Sequence, residues 1–384
     1  MSHCHVCRQP LPAPLYRSAR AVSVTSLCEV RPEQVTVSFC AKCGHLQTEA
    51  MADLDQYYDR TYKILIDSED EDQLYAVMDG RKVFRTEHQV DTLRAKVSLP
   101  TGARVLDYGC AKSSTLRRLT ELRPDIEPHV FDVSDMYVPY WNRFVRPETC
   151  ALYTPKPEWA DRFDLVTSFF ALEHVAEPRA LTQTIASLLK PGGHFYCIVP
   201  NVYANTADFV VADHVNHFSV TSLRHLLHDA GMQVISLDDQ SHASAWVLVA
   251  TKQDLPSTEL PATRDVADFG HQSRDMAAYW QGFADRVRAF EAGHEAESKV
   301  AIYGSGFYGT FIATCLKNPD RVACFLDQNP HRQRQRLLDK PILPPEHLPA
   351  DVSVVYVGLN PRLAQAGIQS VTAWHGKPHR YFYP

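Results

Sequence analysis

From residue 103 onward the chain alternates short apolar runs with longer amphipathic stretches. ARVLDYG (103–109) reads as a buried strand and STLRRLTEL (114–122) as the helix after it. HVFDVS (129–134) reads as a second strand, FDLVTSFFAL (163–172) as a later one, and EPRALTQTIASLL (177–189) as another helix. A PGG turn leads into HFYCIVP (194–200), and SVTSLRHLLHDAG (219–231) is a helix capped by Ser219 and stopped at Gly231. QVISLDD and SAWVLVATK close the unit. Strands spaced by helices imply a parallel sheet covered on both faces, an α/β fold.

Before residue 103 the pattern is weaker. Leu74, Val77, Met78, Val83, Val90 and Leu93 recur at roughly helical spacing, which predicts one or two helices, with the acidic run SEDED (68–72) as a solvated helix start. DLPSTELPATRD (254–265) reads as a linker, and 265–297 as one helix with Met276, Tyr279, Trp280, Phe283, Val287 and Phe290 on one side. KVAIYGSG (299–306) starts a further strand. The expected division is 1–50, 51–255, 256–298 and 299–384, within the two or three domains that a chain of 384 residues suggests.

Composition narrows the class. The formal net charge of −6 argues against coating nucleic acid or an anionic membrane, which both need a basic surface. The chain lacks an apolar run of about 18 residues and its start, MSHCHVCRQP, has no signal-peptide core, so a soluble cytoplasmic protein is expected. Two matched pairs, Cys4-x-x-Cys7 and Cys40-x-x-Cys43, have 32 residues between them. Two thiolates on each of two tight turns make a closed tetrahedral site, expected to hold a structural zinc ion. The other cysteines read as small buried hydrophobes. His225 and His228 are assigned to the surface.

The turn VLDYGCAKSSTL lies between a strand and a helix, with Asp107 ending the strand and Asp132 ending the next strand 25 residues later. Together with FDLVTSF, ALEHV and LKPGGHFYCIVPN, it resembles the class I S-adenosylmethionine-dependent methyltransferases over roughly residues 80–252. The resemblance implies a Rossmann-like seven-stranded sheet with the cofactor across the strand ends. It places Asp107, Gly109 and Ala111 on the cofactor, Asp132 on its ribose and Glu173 beside it. Where the family writes G-x-G-x-G, this chain has Gly109, Ala111 and Ser113, and Ala111 is tolerable there if its backbone keeps a negative φ.

The four-cysteine module, this core and a carboxy-terminal Rossmann-like part resemble in their order the three-part sugar C-methyltransferases. Those act on nucleotide-linked 4-keto-deoxy sugars, with an acid–histidine pair matching Asp213 and His214. The resemblance implies a nucleotide sugar as small-molecule partner. Carbon next to a ketone must lose a proton before attacking a methyl sulfonium; His214 is the expected base and Asp213 its orienting group. His217, Asn201 or Tyr203 would serve the enolate oxygen, and His174 the cofactor or substrate. His217 and Phe218 also read as the cap and staple of the following helix. Tyr57, Tyr58 and Tyr62 read as a lid or as plain packing.

The segment IYGSGFYGTFIATCL holds Gly304, Gly306 and Gly309 between a strand and a helix, with Asp327 18 residues beyond. Nucleotide-sugar binding, a structural role, NAD-type binding and an empty fold all remain open for it. For the whole chain, O- or N-methylation of a sugar or other intermediate is the alternative. A non-catalytic nucleotide-sugar-binding or scaffold protein is the alternative of another class.

Overall fold

The alternating runs after residue 103 form one seven-stranded sheet. A computed structural model describes residues 2–64, 68, 70–78, 80–253, 265–295 and 298–384. The chain divides into two compact units, each assembled from separate segments. One comprises Met1–Pro14, Val37–Ala204 and His214–Ser273; the other comprises Leu15–Thr36, Asn205–Asp213 and Arg274–Pro384.

In the first unit, strands β1 (Thr36–Phe39) and β2 (Leu46–Thr48) pair beside the cysteine turns. Next come an antiparallel hairpin, β3 (Leu74–Met78) with β4 (Arg81–Phe84), and helix α1 (Arg85–Lys96). The hairpin replaces the helix expected from the spacing of Leu74, Val77, Met78 and Val83. Gly80, at φ +80°, supplies the turn, and Asp79-Gly80 is a hairpin dipeptide whose signal the apolar spacing masked. Among the described residues of SEDED no helix starts. Asp72 instead accepts a hydrogen bond from the Thr86 amide (3.1 Å) in the first turn of α1.

The sheet strands follow as β5 (Arg104–Tyr108), β6 (Glu127–Asp132), β7 (Cys150–Leu152), β8 (Phe163–Phe169), β9 (Leu189–Pro200), β11 (Met232–Asp238) and β12 (Ala245–Lys252). Helices α2 (Ser114–Leu122), α3 (Pro178–Leu188) and α4 (Val220–Asp229) connect them, and the short β10 (Asn216–His217) pairs with β2. Their order is β7-β6-β5-β8-β9-β12-β11, parallel except for β12, which runs antiparallel to both neighbours. Val105, Val130, Leu165, Ile198, Val247 and Trp141 belong to its buried core. At about 1.5–3 kcal/mol per large apolar side chain, that burial fixes which strand ends share an edge. Ser219 caps α4 reciprocally with Ser222, and Gly231 follows at φ +73°. His225 is buried in α4 rather than exposed, because it lies one turn from the buried Thr221 and Ser222 and shares their face.

The expected linker lies outside the described residues except for Asp265. The single helix expected over 265–297 is two, α5 (Val266–Gln281) and α6 (Phe283–Ala292), separated at Gly282, whose backbone freedom makes helix continuation costly. In the second unit, β13 (Val300–Tyr303), α7 (Phe307–Cys315), β14 (Val322–Leu326), β15 (Arg336–Leu337), β16 (Lys340–Leu343), β17 (Val354–Val357), α8 (Pro361–Gln369) and β18 (Arg380–Phe382) follow. They build a six-stranded sheet of order β15-β16-β14-β13-β17-β18. Segment Asn205–Asp213 is held to this unit by hydrogen bonds: Trp280 Nε1 donates to the Thr206 carbonyl (2.7 Å), and the Ala207 amide donates to the Tyr308 hydroxyl (3.0 Å).

Candidate active site

Neighbouring parallel strands β5 and β6 end in buried carboxylates. Asp107 accepts hydrogen bonds from the hydroxyls of Ser113 (2.6 Å) and Thr167 (2.9 Å). Asp132 accepts from the amides of Ala111 (2.8 Å) and Ser134 (3.1 Å). Burial pushes the Asp107 carboxyl up to about 7 and Asp132 up to about 6, since desolvation penalises the charged form.

The loop between strand and helix follows from these contacts. Gly109 is at φ +68°, and a Cβ there would lie 2.9 Å from that of Ala171. Ala111 and Ser113 also take left-handed backbone, at φ +46° and +55°, so the negative φ that would make Ala111 an easy replacement is not found. For L-residues this costs about 1–2 kcal/mol each. The Ala111 amide to Asp132 and the Ser113 hydroxyl to Asp107 offset it, while the Ala111 carbonyl accepts from Trp141 Nε1 (2.7 Å). Where the resembling family has glycines, hydrogen bonds hold the same kind of turn.

Next along the edge, β8 runs into a 3-10 turn, Leu172–His174. Glu173 is buried, and its Oε1 lies 3.9 Å from His174 Nε2. The other ring nitrogen of His174, Nδ1, is 2.5 Å from the Tyr58 hydroxyl. The rings of His174 and His214 meet edge to face with centroids 4.7 Å apart. One ligand-type atom each from Glu173, His174 and His214 lies within 4.8 Å of the others. The structure therefore gathers three of the expected residues, and adds Tyr58. Tyr58 packs edge to face with Tyr57 and tilted against Tyr62, with centroids 5.3 and 5.1 Å away.

The remaining expected residues serve as anchors in what the structure shows. Asp213, in the second unit, accepts from the amide (2.6 Å) and hydroxyl (2.7 Å) of Ser26. His217 sits in β10 with Nε2 2.8 Å from the Thr48 hydroxyl, and Asn201 accepts from the Tyr203 amide (3.1 Å). Tyr203 is buried against Phe269, and burial raises its phenol far above the ordinary range.

Asn216, beside His217, was not singled out in the sequence. Its carbonyl oxygen lies 3.0 Å from His5 Nδ1 and 3.1 Å from His45 Nε2, and its amide donates to the carbonyls of Leu172 (3.4 Å) and Val175 (2.7 Å). One side chain thus spans from the cysteine turns to the turn that carries Glu173 and His174. Burial lowers the His45 ring to about 3, which keeps it neutral and able to share in this network.

The sulfurs of Cys4, Cys7, Cys40 and Cys43 all lie within 4.8 Å of one another, at 3.6 Å for Cys4–Cys43 and 3.4 Å for Cys7–Cys40. A tetrahedral ion with metal–sulfur bonds of about 2.3 Å holds its sulfurs roughly 3.8 Å apart. The donor set fits zinc and leaves no fifth position for water.

In the second unit the turn Gly304–Gly309 is shaped by packing. A Cβ on Gly304 would lie 2.2 Å from the Gly358 carbonyl oxygen, and one on Gly309 2.0 Å from that of Gly304. A Cβ on Gly306 would meet nothing within 4 Å. Asp327 turns to the same loop, accepting from the amide (3.0 Å) and hydroxyl (2.6 Å) of Ser305.

Comparison with known proteins agrees with this geometry. Residues 82–237 thus match the family model described as "Methyltransferase domain". A protein named "Ubiquinone biosynthesis O-methyltransferase" from Xanthomonas campestris pv. campestris (strain B100) is 33% identical over 113 residues, covering 28% of this chain and 47% of that one. One of the same name from Marinobacter nauticus is 30% identical over 151 residues, covering 35% and 60%. The chain thus spans about half the length of these relatives. A solved complex of the Haloferax volcanii Trm112 methyltransferase activator with a methyltransferase aligns at 20% identity and TM-score 0.39, covering 44% of this chain and 91% of that one. No helix among the described residues is long and apolar enough to cross a membrane.

The residues present fit S-adenosylmethionine. Asp132 places a buried carboxylate at the end of the second strand, where such an acid holds ribose hydroxyls.

Two outcomes follow from the site's construction. Ala111→Gly relieves the left-handed strain and raises unfolding free energy by about 1 kcal/mol in urea titration; an unchanged or lowered value would mean the alanine is unstrained. Metal analysis of purified protein finds about one zinc per chain, and Cys40→Ser loses it together with thermal stability.

Proposed function

We propose that the chain transfers a methyl group from S-adenosylmethionine to a small molecule whose accepting atom must first lose a proton. The carrying observation is the meeting of His174 and His214 rings beside a buried carboxylate, on a turn that follows β8, the parallel neighbour of β5. When bound, the cofactor supplies an electrophilic methyl on a sulfonium; Asp107, Gly109, Ala111 and Asp132 would hold it. A neutral imidazole near pH 7 suits removal of a proton from a carbon flanking a ketone, and we assign this to His214.

The acceptor we favour is a nucleotide-linked 4-keto sugar, methylated at carbon. What supports it is the combination of a four-sulfur module, the methyltransferase domain and a second unit opened by a strand–glycine–helix turn. Methylation at oxygen is the second reading, favoured by the relatives whose names make them O-methyltransferases.

His214→Ala should lower turnover by about 10²–10⁴-fold while cofactor affinity stays nearly constant. Acceptors are to be screened with isotopically labelled cofactor and the product read by carbon-13 NMR. A methyl bonded to carbon carries the favoured reading, and one bonded to oxygen carries the second. Wild-type turnover by His214→Ala would remove His214 from the chemistry.

A further inference from the structure

Asn216 is fully buried on β10, and its side chain meets four partners from three distant segments. Carbonyl oxygens only accept, so the contacts to Leu172 (3.4 Å) and Val175 (2.7 Å) fix which end of the amide carries the nitrogen. The amide oxygen therefore faces the two imidazoles. It too only accepts, so each ring must present an N–H to it: Nδ1–H of His5 at 3.0 Å and Nε2–H of His45 at 3.1 Å. Turning the amide over would set its oxygen against two carbonyl oxygens.

The two ends of this side chain serve different places. His5 stands between Cys4 and Cys7, and His45 follows Cys43 by two residues, so each cysteine pair contributes one ring. The His5 amide also donates to Gln47 Oε1 (2.9 Å), and Gln47 lies opposite Asn216 in the β2–β10 pair. At the other end, Leu172 and Val175 bracket Glu173 and His174. Within that turn the His174 amide donates to the Ala171 carbonyl (3.1 Å) and the Val175 amide to the Leu172 carbonyl (3.4 Å). The bond from Asn216 to Val175, at 2.7 Å, is shorter than either.

We infer that Asn216 is a positioning residue, which carries the closure of the four-sulfur site by a metal ion to the backbone that presents Glu173 and His174. Cys4, Cys7, Cys40 and Cys43 would hold the ion, and binding it would hold the two cysteine turns together. His5 and His45 ride on different turns, so their N–H groups converge on one oxygen only while the turns stay together. With the turns apart, that oxygen loses donors, and an amide released at one end is less firmly held to the carbonyls at the other. The catalytic consequence rests on the methyl transfer proposed above. The coupling itself is read from the backbone, without turnover.

The test is hydrogen exchange of peptides spanning 172–175, read by mass spectrometry in the full chain, with zinc bound and after its removal by a chelator. In the wild type, zinc removal should speed exchange there about tenfold or more, while β8, the strand before the turn, stays protected. Asn216→Asp keeps an acceptor for both imidazoles but sets an oxygen where the turn's carbonyls need a donor. It should retain about one zinc per chain and exchange at 172–175 about tenfold faster than wild type, with less than a twofold further change when zinc is removed. That failure to add is the signature of coupling, since independent destabilisations would add. Should the aspartate variant not fold, Asn216→Ala, which places no oxygen against the carbonyls, should show the same failure to add.

The zinc-loaded Asn216→Asp enzyme should lose about 10–10²-fold in kcat, as for a displaced group at the site, with S-adenosylhomocysteine affinity within twofold. Exchange at 172–175 within twofold of wild type in the zinc-loaded variant overturns the positioning role. So does zinc removal that speeds the turn equally in wild type and variant, or that strips protection from β8 as well, because the metal would then act by another route. Protein that takes up no zinc overturns it too. Coupled exchange without turnover on any acceptor supports the positioning role and counts against the proposed reaction; uncoupled exchange with turnover intact does the reverse.

Discussion

Two carboxylates buried at the ends of adjacent parallel strands set the terms for the rest of the catalytic unit. Asp107 and Asp132 leave water only because the loop between β5 and α2 brings donors to them, from Ser113, Thr167, Ala111 and Ser134. Bringing those donors inward forces two non-glycine residues into left-handed backbone. The polar contacts and the strain are thus one arrangement: hydrogen bonds to buried carboxyls hold a turn that would otherwise open. A cationic sulfonium cofactor with a ribose diol suits this pair, since it supplies both positive charge and hydroxyl donors.

A second dependence runs from the cysteine turns to the chemistry. β10 pairs with β2, and Asn216 on β10 reaches both His5 and His45 on one side and the carbonyls flanking Glu173 and His174 on the other. The four sulfurs close the turns that carry these histidines. A metal held there would not need to touch substrate to matter, because it would fix the turns whose histidines meet Asn216.

Much of this was legible in the sequence, for definable reasons. The paired cysteines, the strands that end in Asp107 and Asp132, and the Ser219 cap each have short, local signatures. The hairpin at 74–84 was misread because four apolar residues in a short window fit a helical period as well as a strand pair, and Asp79-Gly80 carried the deciding information. Gly282 divides what the apolar stripe joined. His225 looked exposed because it follows the charged Arg224, and a polar ring carries no sign of which face it takes. Least legible were contacts across long separations: Asn216 with His5 spans 211 residues, and Tyr58 with His174 spans 116. Such pairs depend on tertiary placement and leave no pattern in the neighbouring sequence.

The buried carboxylate pair, as a cofactor site, is tested most directly by calorimetric titration with S-adenosylhomocysteine. Both carboxyls have folded pKa values raised above the ordinary value near 4, so part of each is protonated near pH 6. A ligand that requires them ionised must then release protons, with affinity rising as pH increases through about 6 to 7. The predicted result is one-to-one binding whose heat depends on the buffer's ionisation enthalpy near pH 6, lost in Asp132→Ala. Folded, metal-loaded protein that binds neither S-adenosylhomocysteine nor S-adenosylmethionine would contradict it.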